Sequence, residues 1–400
     1  MNQIPAAKGR IQSIDILRGI VMIIMALDHV REFFHEDALL KDPLDPATAS
    51  VASYFTRWIT HFCAPVFVFL AGTSAYLQGL KKSKAELSRF LVTRGIWLIL
   101  VECLIISFAL TFDPGYHMIP FQVIWAIGIC MVILGIVVWL PYPVIFAIGA
   151  LIVLGHNLLD YPEAERLEQG QPMGFWWDLL HAGRFSSHTF APGHAVIIVY
   201  PFLAWAGIMM MGYCAGRLFE APVDPIKRKK ILITIGLALI AFFIVLRWIN
   251  GYGDPNRWRD YPSALSDFFS FMNVTKYPPS VMYASITLGP SLIFLALIEG
   301  MRNRFTDFVK IYGRVPFFYY VLHFFIIHAL TVFAFYFIEG LGSKDIVDPQ
   351  SFFFFRPVNF GYNLWVVYAV WIGVILIIYP ICKWYNNYKS THRYWWLSYL

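Results

Sequence analysis

Lys227-Arg-Lys-Lys-Ile-Leu-Ile-Thr-Ile-Gly-Leu-Ala-Leu-Ile-Ala-Phe-Phe-Ile-Val-Leu-Arg-Trp-Ile249 joins a block of four cations to an apolar run over 231–249. A helix needs about 20 mostly apolar residues to cross a bilayer, and this run is apolar all round rather than along one stripe. The cations before it belong on the cytoplasmic side, where Lys and Arg concentrate. Comparable runs recur near 14–34, 58–80, 91–111, 119–140, 142–159, 194–216, 280–299, 313–338 and 361–384. The expected fold is therefore all-α: a polytopic membrane helix bundle of about ten transmembrane helices, forming one domain over residues 1–400.

Composition agrees. The chain is 58% hydrophobic and 14% charged, against roughly 25% charged in a soluble domain. Its 18% aromatic content suits two interfacial belts of Trp and Tyr.

Charge orients the bundle. Twenty of the 31 Lys and Arg residues fall on the side that holds both termini, among them Lys8, Arg10, Arg18, Lys81, Lys82, Lys84, Lys227–Lys230, Arg302, Arg304 and Arg393. That side is read as cytoplasmic, in a cell (inner) membrane. The net charge of +6 then reports topology, and a nucleic-acid partner is not expected. The first run contains Asp15 and Arg18 and lacks a small-residue cleavage site, so it reads as a retained helix rather than a signal peptide. The five cysteines lie in apolar runs without paired spacing, so neither disulfides nor a metal site is expected.

Three outer connections are long, near 35–57, 160–193 and 250–279. Long connections in a compact protein are usually functional or disordered, and Trp176, Trp177, Tyr252, Trp258 and Tyr261 argue for order. They are expected to fold over the outer mouth of the bundle. The second ends in His181-Ala-Gly-Arg-Phe-Ser-Ser-His188. Gly212 and Gly216 have the spacing of a helix contact. There is no phosphate-cradling glycine loop, zinc-protease helix or serine-hydrolase elbow.

The first helix carries the most chemistry. Arg18 and His29 are eleven residues apart and share a face, roughly 16 Å from each other along the axis. Met22, Met25 and Ala26 fall between them, and Glu32 lies one turn beyond His29, placed to fix its tautomer. The same spacing also suits an arginine that snorkels to headgroups and an ordinary interfacial histidine. His61 opens the second helix in Thr60-His-Phe-Cys-Ala-Pro65. Glu102 lies deep in the third, where a carboxylate needs a basic partner or a wet cavity. Gln122, His194, His323 and His328 join this outward-facing polar set.

Ser13-Ile-Asp-Ile-Leu-Arg-Gly19 with Met25-Ala-Leu-Asp-His29 resembles the opening of the heparan-alpha-glucosaminide N-acetyltransferase-like transmembrane acyltransferases. Ala64-Pro-Val-Phe-Val-Phe-Leu-Ala-Gly72 is similar to the superfamily's second-helix motif. Trp205-Ala-Gly-Ile-Met-Met-Met-Gly212, Lys276-Tyr-Pro-Pro-Ser280, Thr287-Leu-Gly-Pro290, Tyr312-Gly-Arg-Val-Pro316 and the ending Trp395-Trp-Leu-Ser-Tyr-Leu400 resemble bacterial members.

The resemblance implies transfer of an acyl group, usually acetyl, from cytoplasmic acyl-CoA to a hydroxyl or amine of an extracytoplasmic glycan. His29 or His35 would be the base, since animal lysosomal members have asparagine at the first position and their histidine further along the outer loop. Glu32 and His61 would assist. Arg18, Lys81 and Lys82, with the Lys227–Lys230 cluster, would receive the polyanionic coenzyme. A histidine of near-neutral pKa suits proton removal from the acceptor, the thioester is already activated, and no metal is required. The thioester is expected to lie along the Arg18–His29 stripe. A proton-coupled transporter or flippase is the alternative, against which the two halves show no matching pair of interrupted helices. A homo-oligomer is compatible with all of this.

Overall fold

The computed structural model describes residues 11–392 together with Tyr394 and Leu397. Lys8, Arg10, Arg393 and all of the Trp395–Leu400 motif except Leu397 lie outside the described residues.

Helices dominate. They are α1 (Gln12–Phe34), α2 (Val51–Gly79), α3 (Lys84–Thr111), α4 (Val123–Val137), α5 (Tyr142–Glu168) and α6 (Phe202–Phe219). The chain continues through α7 (Pro225–Ile249), α8 (Ala264–Met272), α9 (Val281–Leu297), α10 (Arg304–Arg314), α11 (Pro316–Ile338) and α12 (Leu364–Thr391). Among the described residues seven are long and apolar enough to cross a membrane: α2, α3, α5, α6, α7, α11 and α12. Each of the ten expected runs holds a helix, but α4 and α9 are shorter apolar helices and α1 is charged.

The charge in α1 has a physical reason. This helix packs against α2, α9, α10, α11 and α12, and most of its side chains are buried by protein. Its ionisable groups therefore face protein and cavities, the environment in which intramembrane charge is tolerated.

Local signals start several of the helices. Ser83 and Glu86 form a capping box at α3, and Ser280 and Asn363 cap α9 and α12. Helices are interrupted where polar side chains enter, as at His156–Leu159 in α5. A 3₁₀ turn at Thr60–Phe62 breaks α2 beside His61, and a π turn at Glu102–Ile106 breaks α3. Glycine sets two of the close crossings. A Cβ on Gly313 of α10 would lie 1.8 Å from the Asp15 carbonyl oxygen of α1. At the α2–α6 crossing, Cβ atoms on Gly72 and Gly212 would each meet a carbonyl oxygen at 2.0 Å, and one on Gly216 would meet the Tyr76 side chain at 2.5 Å. The helix contact expected of Gly212 and Gly216 is therefore present.

Beyond the bundle the chain departs from an all-helical fold. Met118–Phe121 (β1), Ser186–Ala191 (β2) and His194–Ile198 (β3) form a sheet of order β1-β3-β2. β1 runs parallel to β3 from Met118↔Ala195, and β2 runs antiparallel to it from Ser186↔Ile198. The run expected to be helical from 194 thus begins as a strand, and the helix starts at Phe202. Val196, Ile197 and Ile198 are β-branched, which suits them to the sheet.

The 250–279 connection is gathered by one side chain. Arg247, at the outer end of α7, donates to the carbonyls of Asn256 and Asn273 at 2.6 Å and of Ser270 and Phe271 at 2.8 Å. Asp254 then accepts from Thr275 N–H and Oγ1 at 2.8 Å and from Ser280 Oγ at 2.6 Å. A fourth connection, Phe352–Phe353 included, also reaches the outer mouth.

Candidate functional site

Two cavities lie along α1. The inner one, of about 1030 Å³, is lined by Asp15, Arg18 and Met22 and by residues of α2, α3, α4 and α11. Six cations face it (Arg18, Lys81, Lys82, Arg94, Arg314 and Lys389) against the single carboxylate of Asp15. The outer one, of about 220 Å³, is lined by Met25, Asp28, His29 and Glu32 of α1 and by Arg57, Lys276, Tyr277 and Tyr200, among others. Phe67 and Val123 line both. Met22 and Met25 therefore fall on the two cavities in turn, as the stripe predicts, whereas Ala26 is buried and lines neither.

Arg18 is held rather than free to snorkel. Its guanidinium donates to the Gly313 carbonyl at 3.2 Å and to Ser74 Oγ at 3.0 Å, and it lies 3.6 Å from Asp15. The close approach permitted by Gly313 is what brings that carbonyl within reach. Lys81 and Lys82 line the same cavity, with Lys82 Nζ 5.6 Å from the Phe90 ring centre. The Lys227–Lys230 cluster does not line it, contrary to expectation. Arg228 is instead paired with Glu299 at the α7–α9 contact. Arg94, Arg314 and Lys389 supply cations in its place. Phosphates are suited to such a mouth because Arg and Lys offer charge-assisted hydrogen bonds.

His29 Nδ1 lies 3.0 Å from Glu32 Oε2. The carboxylate accepts from Nδ1–H, which fixes the tautomer and leaves Nε2 as the basic nitrogen. The ring stands 4.4 Å from Phe324 and 5.3 Å from His323 between centroids.

The other candidate histidines are elsewhere. His35, just past the end of α1, does not line the outer cavity. Its Nδ1 accepts Asp37 N–H at 3.2 Å, and its carbonyl receives Arg356 at 2.8 Å. Burial and the nearby Arg31 hold its imidazole below the ordinary histidine range. His61 is buried in the 3₁₀ turn, its carbonyl receives Tyr283 O–H at 2.8 Å, and it lines neither cavity. His194 is a surface strand residue that contacts the Gly115 carbonyl. His328 lies between the Ala109 and Phe354 carbonyls.

Among the described residues Glu102 has no basic partner, and it lines neither of the two cavities. Its Oε2 accepts Trp125 N–H at 3.1 Å, so it caps the start of α4. A helix N-terminus carries positive partial charge and meets the need that a cation would have met.

Reading the sequence helix by helix missed Asp28, Arg57 and Lys276. Asp28 accepts from Arg57 and, at 3.3 Å, from Arg31, which ties α1 to the start of α2. A buried aspartate beside His29 was the available signal, since such a group demands a cation. Also unforeseen is a group below the 160–193 loop. Asp160, Glu163 and His181 place ligand atoms within 4.8 Å of one another. There His181 contacts Glu163 at 2.6 Å and His156 at 3.1 Å.

Comparison with known proteins bears on this geometry directly. The family described as heparan-alpha-glucosaminide N-acetyltransferase, catalytic, matches residues 10–246, from the start of α1 to the outer end of α7. No match was found among curated proteins. The family match spans more than half of the chain and includes both ends of the Arg18–His29 stripe. The chain belongs to the heparan-alpha-glucosaminide N-acetyltransferase catalytic family, a transmembrane acetyltransferase type.

Proposed function

We propose that this protein transfers an acyl group, acetyl in the first instance, from cytoplasmic acyl-CoA to a hydroxyl or amine of an extracytoplasmic glycan. The observation that carries this reading is the pair of cavities along α1, cationic at Arg18 and imidazole-lined at His29, meeting at Phe67 and Val123. In this reading the coenzyme's phosphates sit among Arg18, Lys81 and Lys82, and the pantetheine arm runs past Met22. The thioester reaches His29, about 16 Å further along the axis. That distance is comparable to the arm's length.

His29 Nε2 removes the acceptor's proton as the acceptor attacks, and Glu32 stabilises the resulting imidazolium. The imidazolium then returns the proton to the leaving thiolate. His35, lying beyond the cavity, is the second choice for base, and His61 a neighbour of the site. The helices of the ten apolar runs, α1 to α7, α9, α11 and α12, cross a cell (inner) membrane within one domain over residues 1–400, with both termini cytoplasmic.

The test is coenzyme A thiol release from acetyl-CoA by purified protein in detergent. Absence of thioester turnover across a panel of amines, alcohols and glycans would sink the reading and favour transport. Orientation is checked in intact cells. Cysteines in the 160–193 loop should react with an impermeant thiol reagent, and cysteines near Lys82 or Lys229 should not. Labelling near Lys229 from outside would reverse the topology.

A further inference from the structure

The charges of the outer cavity do not close on one another. Asp28 is occupied by Arg31 and Arg57, and Glu32 by His29. That leaves Lys276. It is 8% exposed, it lines the cavity, and among the described residues no carboxylate stands within ion-pair distance of its ammonium; Asp28, already held by two arginines, acts on it only at longer range. Its one aromatic neighbour is the Tyr277 ring, 5.1 Å from Nζ.

The loop that presents it is held firmly, because Asp254 binds Thr275 on one side and Ser280 on the other. A buried, unpaired ammonium in a membrane protein is costly. Held over a cavity, it becomes favourable when negative charge appears there. The cavity, at about 220 Å³, is smaller than the roughly 300–1,000 Å³ that encloses a drug-sized ligand. It has room for the reacting groups and not for a whole charged glycan.

We propose that Lys276 is a catalytic residue that stabilises the oxyanion formed when the acceptor attacks the thioester carbonyl. This rests on the acyl-transfer reading above. In the step, the acceptor's lone pair forms a bond to the acyl carbon while His29 Nε2 takes its proton. The carbonyl π pair moves onto oxygen, beside the Lys276 ammonium. Collapse restores the carbonyl and breaks the carbon–sulfur bond, and the thiolate takes the proton back from His29. A positioned donor of this kind accounts for about 10²–10³ in kcat elsewhere.

The experiment compares wild type with Lys276→Met, Lys276→Gln and Lys276→Arg in detergent. Thiol release from acetyl-CoA is followed with three acceptors: water, methyl glucoside (neutral) and glucuronic acid (anionic). Stabilisation of the oxyanion predicts that Lys276→Met and Lys276→Gln lose about 10²–10³ in kcat with every acceptor. KM for acetyl-CoA should stay within threefold, and Lys276→Arg should recover part of the rate. Unchanged kcat with water and methyl glucoside, with KM raised for glucuronic acid alone, would overturn it and make Lys276 an acceptor-carboxylate subsite. Monodispersity and acetyl-CoA affinity identify a misfolded variant. Should the uncharged variants misfold, Lys276→Arg decides: its longer fork displaces the charge, so wild-type kcat with all acceptors overturns the proposal. Wild-type protein that releases no thiol would instead overturn the acyltransferase reading itself.

Discussion

His29 and Glu32 meet at 3.0 Å across one turn of α1, with the outer cavity on one side and the His323 ring on the other. With Nδ1–H held by Glu32, Nε2 is left as the ring's basic nitrogen, the one the proposed general base would use. His29→Ala should lower kcat by roughly 10²–10⁴-fold while acetyl-CoA affinity is spared. Glu32→Gln should cost less, since an amide still accepts from Nδ1–H but does not stabilise the imidazolium. Should His35→Ala abolish turnover while His29→Ala retains it, the assignment of the base is reversed.

Arg18 is expected to act on binding instead. Arg18→Ala should raise the Kd for acetyl-CoA at least tenfold, equivalent to about 1.4 kcal/mol, by isothermal calorimetry in detergent. Arg18→Lys should be intermediate, because the ammonium keeps the charge but loses the fork. Equal affinity in wild type and Arg18→Ala would leave the arginine a structural role, through its contacts with Gly313, Ser74 and Asp15 among others.

Asp28 and Arg57 are a buried pair joining α1 to α2. Removing Asp28 strands both Arg57 and Arg31, a loss of roughly 3–5 kcal/mol, whereas removing Arg57 leaves Asp28 with Arg31 alone. Asp28→Asn or Arg57→Met alone should therefore lower the unfolding temperature markedly. The double variant should recover part of the Asp28→Asn loss, because Arg57 is then no longer stranded and only Arg31 lacks its carboxylate. A double variant no more stable than the worse single one would refute mutual compensation.

Gly313→Ala must push α10 away from α1, since the new methyl would otherwise lie 1.8 Å from the Asp15 carbonyl oxygen. A cost of about 1–3 kcal/mol is expected, with weaker acetyl-CoA binding as the Arg18 anchor moves. Gly373, within α12, has only open space where a methyl would stand. Gly373→Ala should be neutral or slightly stabilising, and thermal unfolding of both variants checks the contrast.

Acid should weaken the outer end of α1. The His35 imidazole is depressed in the folded protein by burial and by Arg31, so the unfolded chain takes up the proton first. Its contribution is therefore full above the ordinary histidine value and falls away as pH drops through that value towards the folded one. Between about pH 7.5 and 5.5, a window that brackets the ordinary histidine pKa, wild type should lose more thermal stability than His35→Asn. Parallel losses would place the sensitivity elsewhere.

Periodicity along one helix was the readable part of the site. Arg18, His29 and Glu32 lie on a single element, so 3.6 residues per turn placed their side chains before any tertiary contact was known. Apolar runs likewise located the helices, because lipid demands continuous hydrophobic length. What stayed hidden depends on contacts between distant segments. Asp28 meets Arg57 across a loop, Lys276 arrives on a connection gathered by Arg247, and Glu102 is answered by the peptide groups of α4 rather than by a cation. β1 and β3 pair across more than seventy residues, and no local pattern announces that.

Phe67 and Val123 line both cavities, so they stand where the cationic space at Arg18 meets the one at His29. Every unit charge that leaked through there would fall through the membrane voltage, at about 2.3 kcal/mol per 100 mV. An apolar waist resists hydrated ions, yet a slender thioester arm can fill it with its own carbon chain. Under the proposed reaction the cargo would serve as its own stopper, and a covalent group would cross without carrying current.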